Sequence, residues 1–160
     1  MNRTDGNDVF FRIRSSVTPV EVTVPNFQES LTLSLIPALE KAYTSAAYPI
    51  KALIVANPHN PLGRCYPKSV LEECLKFCQA RSIHFVSDEV FALSTFKCPD
   101  MPKATPFFSA LSLDPAAVDS DPSRIHVVWS MSKDLASSGI RLVGCLLIIF
   151  DLLPLLQVIG

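Results

Sequence analysis

Apolar and polar positions alternate in blocks along this chain, and the period of each block predicts an element. "VEVTV" (20–24) alternates with period two, as a half-buried strand does. "SLIPALEKAYTSAAY" (34–48) has helical spacing, with Ser34 at the N-cap position and Pro37 in the first turn, where proline is tolerated. "ALIVA" (52–56) is a short continuous apolar run, as expected for a buried parallel strand. A proline opens the next helical block, "PKSVLEECLKFCQARS" (67–82). Its spacing puts Val70, Leu71, Cys74, Leu75, Phe77 and Cys78 on one face, and Glu72, Glu73, Lys76 and Gln79 on the other. "IHFVS" (83–87) and "RIHVVW" (124–129) read as further strands, and "RLVGCLLIIF" (141–150) contains one more. Between them, residues 94–123 hold Pro99, Pro102, Pro106, Pro115 and Pro122 among many Ser and Asp. That predicts a long surface connection with one short helix near "PFFSALSL". Strands alternating with helices predict an α/β fold with a mostly parallel sheet flanked by helices.

Bulk composition narrows the class without changing this picture. At 160 residues, 49% hydrophobic and 18% charged, the chain suits one globular domain with a real core. A net charge of -1 with scattered basic residues argues against nucleic acid or an anionic membrane surface as partner. Five cysteines at irregular spacing, and three histidines far apart, predict free thiols in a reducing, cytoplasmic setting and no metal site. The N-terminal stretch lacks the apolar core of a secretory signal. The run "LVGCLLIIFDLLPLLQVIG" is nearly long enough for a membrane helix, but Asp151 and Pro154 interrupt it, so a core strand with a divergent end is expected instead.

Ligands of open parallel sheets bind outside the carboxyl ends of the strands, so the polar residues at those ends are the candidates for chemistry. "NPHNPLG" follows the first of these strands and carries Asn57 and Asn60; Asp88 and Glu89 follow the second. The third is followed by Ser130, Ser132 and Lys133, then by Gly139 and Arg141. An amide, a carboxylate, two hydroxyls, an amine and a guanidinium on one edge suit a ligand with a cationic ring nitrogen, a carbonyl and a phosphate. Each alone is an ordinary turn residue, cap or solvated side chain. Their order and placement set them apart.

The segments "NPHNPLG", "SDEVF" and "SMSKDLASSGIR", in this order, resemble the large domain of fold-type I pyridoxal-phosphate enzymes, within class I/II aminotransferases and 1-aminocyclopropane-1-carboxylate synthase-like proteins. The resemblance runs from about Val9 to Gly144. It implies a partial cofactor-binding large domain over residues 1–144, followed by a divergent hydrophobic end over 145–160. By the same resemblance, Lys133 is the Schiff-base lysine and catalytic proton carrier, because a primary amine forms a reversible imine with the cofactor's aldehyde. Asp88 would partner the pyridine nitrogen and keep it protonated. Asn60 would donate to the ring oxygen, and Ser130, Ser132 and Arg141 would hold the phosphate, the last with its planar fork. Gly139 would permit the turn between the lysine and the arginine. The implied reaction is transamination between an amino acid and a 2-oxo acid, with a synthase-like lyase or a non-catalytic truncated remnant as alternatives. A homodimer is implied as the assembly.

Two departures from the family pattern stand out. Phe91 occupies the place of a tyrosine whose hydroxyl would also reach the ring oxygen. No Lys or Arg follows Arg141, so the arginine that grips a substrate carboxylate in this family is not in this sequence, which reads as an incomplete or decayed copy. A tail-anchored membrane protein is a third reading, resting on residues 142–160 alone.

Overall fold

The computed structural model describes residues 17–26, 29–140 and 142–147. Four strands form one sheet in the order β1 (Ala52–Ala56), β2 (His84–Asp88), β3 (Ile125–Ser130) and β4 (Val143–Leu147). The first three are parallel, and β4 runs antiparallel to β3. A mostly parallel sheet with helices is therefore what the alternation predicted. β4 crosses residue 144, so the two stretches separated there on sequence share one strand.

Helix α1 (Leu35–Ser45) and helix α2 (Lys68–Ala80) precede β1 and β2 respectively. All six residues expected on the apolar face of α2 are buried. They pack with Leu35 and Leu39 of α1 and with Phe85, Ile125 and Val127 of the sheet in one core. Arg81 ties the helices together: its guanidinium lies 4.0 Å from the Phe77 ring centroid and 5.2 Å from that of Tyr43, and it pairs with Glu40. The passage from α2 into β2 is a Schellman turn. Ile83 N–H donates to Cys78 C=O at 3.1 Å and Ser82 N–H to Gln79 C=O at 3.0 Å, with Ser82 left-handed at φ 54°. Ile83 thus closes the helix instead of opening the strand, which shifts β2 one residue from its predicted start.

Three local expectations differ. Residues 20–24 form no strand: Val22 and Val24 pack on the core while their neighbours are exposed, so the alternation records one-sided burial without a ladder. Ser34 sits at the N-cap of α1 but its hydroxyl makes no capping bond, its backbone being helical already. The connection after β2 holds four short 3-10 turns in place of one helix, and three of its apolar residues, Ala110, Leu113 and Val118, are buried.

Candidate active site

The carboxyl ends of β1, β2 and β3 meet one another through backbone and buried polar bonds. At the β1 exit, Asn57 is fully buried. Its Nδ2 donates to Phe108 C=O at 2.9 Å and its Oδ1 accepts from Tyr66 N–H at 3.0 Å, while its own N–H donates to Asp88 C=O at 2.9 Å. The loop beyond turns at Gly63, left-handed at φ 60°, where His59 and Arg64 close on each other at 2.7 Å. Asn60 stands exposed at its head.

At the β2 exit, Asp88 is half-buried and its Oδ1 accepts from Val90 N–H at 3.2 Å. Burial pushes its carboxyl above the usual range, and the Val90 N–H pulls partly back. Glu89 points the other way, into the core, where Oε1 accepts from Ser87 Oγ at 2.9 Å and from Ala110 N–H at 2.7 Å. Phe91 follows, its ring centroid 5.8 Å from Lys133 Nζ.

At the β3 exit, Ser130 Oγ accepts from Ser132 N–H at 3.0 Å and donates to Leu142 C=O at 3.1 Å. The hydroxyl thus caps the single-turn helix α3 (Met131–Asp134) and clips the returning chain to it. Lys133 projects from α3 into solvent, and beside it Asp134 gathers three donors: Trp129 Nε1 at 2.8 Å, Leu93 N–H at 2.9 Å and Ser94 Oγ at 2.6 Å. Burial alone would raise the Asp134 carboxyl; the donors from Ser94, Leu93 and Trp129 outweigh it and hold the group below the usual range.

Of the residues singled out on sequence, Asp88 aligns with Val128 across β2 and β3, which puts it on the same sheet face as Ser130 at the same edge. Asn60 and Phe91 line one cleft of roughly 1190 Å³ between the Pro58–Pro67 loop and the segment after Phe91. Lys133 meets the Phe91 ring. Among the described residues, no hydrogen bond or ion pair joins Lys133 to Asp88 or Asn60. Arg141 lies outside the described residues. Gly139 lies in the 3-10 turn Ser138–Ile140 with an ordinary backbone conformation, and the left-handed residue between the lysine and that turn is Ala136 at φ 49°. Sequence reasoning noted Asn57 and Glu89 only as strand-end polar residues and passed over Asp134. A polar residue flush against an apolar run, where a side chain must be buried, is the signal that marks Asn57; Asp134, four residues beyond β3 and beside a lysine, carries no such mark.

The carboxyl edge of the sheet thus carries an amine, a carboxylate, an amide and hydroxyls, at the place where open α/β sheets bind their ligands. Residues 15–151 match the family Aminotransferase class I and II, and the chain belongs to that family. It is 52% identical over 141 residues to a probable aminotransferase, aclI, of Aspergillus oryzae, covering 88% of this chain and 33% of that protein. It is 33% identical to 1-aminocyclopropane-1-carboxylate synthase 6 of Oryza sativa subsp. japonica, over 84% of this chain and 23% of the rice protein. Among solved structures it resembles the aromatic aminotransferase from Pyrococcus horikoshii OT3, with TM-score 0.60 and 29% identity over 80% of this chain and 30% of that one. The chain thus spans about a third or less of the length of the relatives it matches. No helix among the described residues is long and apolar enough to cross a membrane.

Proposed function

We propose that this chain carries the lysine-bearing part of a pyridoxal-phosphate site and that the reaction it serves is transamination between an amino acid and a 2-oxo acid. One observation carries the reading: within a family-matching chain, Lys133 leaves β3 at the sheet edge where Asp88 ends β2, with its amine facing Phe91. When bound, pyridoxal phosphate supplies an electron sink that acidifies the α-proton of an attached amino acid. Lys133 would supply the amine that holds the cofactor through its aldehyde, and the same nitrogen would carry the α-proton of the substrate. Asp88 fits the pyridine nitrogen chemically, because a cation brought to a half-buried carboxylate offsets its burial. Asn60 presents an amide to a ring oxygen. Ser132 and Arg141 serve the phosphate; Ser130, whose hydroxyl is engaged at both ends, positions α3 beside it. Phe91 keeps an aromatic wall without a hydroxyl, and one missing hydrogen bond to a charged oxygen costs about 1.5–3 kcal/mol.

The rice synthase relative favours a second reading, lyase chemistry on the same amino-acid substrates. Both reactions start with loss of the α-proton to Lys133, so products separate them. Cys65, Cys74, Cys78 and Cys98 are free thiols, which supports a cytoplasmic location. Exposed Leu93 and Phe96 near the site support a homodimer.

The test is absorption spectroscopy of the purified protein with pyridoxal phosphate, alongside Lys133→Ala. A visible band, lost in the variant and mapped to Lys133 after borohydride reduction, is expected. Without a band, or with an identical one in the variant, the chain keeps the family's fold but not its cofactor site.

A further inference from the structure

Lys133 meets Phe91 across 5.8 Å, yet the two belong to different strand exits, 42 positions apart in the chain. An aromatic ring on one loop and an amine on another stay opposed only if something holds the loops together. That tie runs through the residue next to the lysine. Asp134 Oδ2 accepts from Leu93 N–H and Asp134 Oδ1 from Ser94 Oγ, the second and third residues after Phe91. Those residues form the 3-10 turn Ala92–Ser94, which starts from Phe91 and is closed by the bond from Ser94 N–H to Phe91 C=O at 3.1 Å. The same Asp134 Oδ2 accepts from Trp129 Nε1 on β3. One carboxylate thereby fastens the end of β3, helix α3 and the Phe91 turn into a single unit.

Resting on the cofactor reading above, we propose that Asp134 is a positioning residue, which acts on Lys133 by holding the Phe91 ring against its amine. The charge of the group suits the task. Hydrogen bonds to an ionised carboxylate are stronger than neutral ones, and Asp134 receives three. Its three bonds go to the Phe91 turn and to Trp129, and among the described residues it forms no ion pair with Lys133, so its geometric hold on the lysine passes through the turn it grips. Ala136, left-handed just beyond, ends α3 two residues after the carboxylate and keeps the helix to one turn. The amine therefore stands on a short support whose orientation the Asp134 bonds fix.

The experiment is competitive trace acetylation with acetic anhydride, read by mass spectrometry as the rate at Lys133 relative to Lys41 and Lys51 in the same sample. Wild type, Asp134→Asn, Phe91→Leu and the double variant are compared, with a thermal melt of each. Loss of the ring from the amine is expected to raise the Lys133 rate about threefold in either single variant, the size of an exposed cation–aromatic contact. The double variant is expected to match the singles, because both remove one and the same contact. An unchanged Lys133 rate in Asp134→Asn overturns the proposal, even if the melt shows lost stability. So does an additive double variant, since Asp134 would then act by its charge alone. Should Asp134→Asn not fold, Ser94→Ala removes one of the three donors and is expected to shift Lys133 in the same direction by less; no shift overturns the proposal there too. The readout needs no cofactor. A wild type that forms no Lys133 adduct with pyridoxal phosphate but responds to Asp134→Asn removes the cofactor reading and leaves the positioning role. An adduct with no such response does the reverse.

Discussion

The two faces of the sheet are built from alternate residues of the same strands and behave as different materials. On one face Leu53, Val55, Phe85, Ile125 and Val127 pack into the core with α1 and α2. On the other, Ile54 is 61% exposed and Val86 and Val128 are half-buried. On this face His84 Nδ1 also meets His126 Nε2 at 2.7 Å, with His126 Nδ1 buried and without a hydrogen-bond partner. The first face is held by non-directional apolar contact, which changes little with solution conditions. The second carries a hydrogen bond that requires at least one neutral imidazole. Distance along a strand separates the faces by one residue only; the helices on one side make the difference.

Core truncation tests this contrast most severely. Phe85→Ala should destabilise by about 3–5 kcal/mol, whereas Ile54→Ala, one strand over on the opposite face, should cost less than about 1 kcal/mol. Chemical denaturation of the two variants decides it, and equal losses would erase the distinction. Next in size is Asn57, which continues the packed face past the end of β1. Asn57→Ala strands the Phe108 carbonyl and the Tyr66 N–H and should cost about 2–3 kcal/mol in the same assay. A neutral result would mean that the sealed face stops short of the site.

The histidine pair gives the opposite face its own pH signature. Burial and the neighbouring His84 hold His126 below its ordinary value of 6.5. As pH falls, the unfolded chain therefore takes up its proton first. The stabilisation is present in full above about 6.5 and is lost as pH drops through the lowered value. Denaturation midpoints of wild type and His126→Leu across that window should diverge, with the variant the flatter of the two. Parallel curves would assign the pH dependence elsewhere. The smallest effect concerns two glycines. Gly63→Ala forces a side chain into a left-handed position and should cost about 1 kcal/mol, whereas Gly139→Ala, with ordinary backbone and open space, should be nearly silent.

Much of the packed face was legible because it depends on spacing within one element. The six inward residues of α2 follow from helical periodicity, and β1 begins and ends where its apolar run does. Lys133, Asp88 and Asn60 could be placed at strand ends for the same reason: a strand's exit is local information. What joins those exits was not legible. Asn57 bonds across 51 residues to Phe108, Glu89 across 21 to Ala110, and Asp134 across 41 to Leu93. No period within a segment encodes a partner that distant. Residues 20–24 misled in the converse way, since alternate burial against a core has the same period as pairing in a sheet.

The antiparallel return of β4 has a mechanical consequence. Leu147 pairs with His126 and Val143 with Ser130, so the far end of β4 lies beside the start of β3. A pulling force applied between Ile125 and Leu147 would peel this ladder like a zipper, one rung at a time from that end. The rung at Ser130, which carries the lysine helix, would be the last to give way.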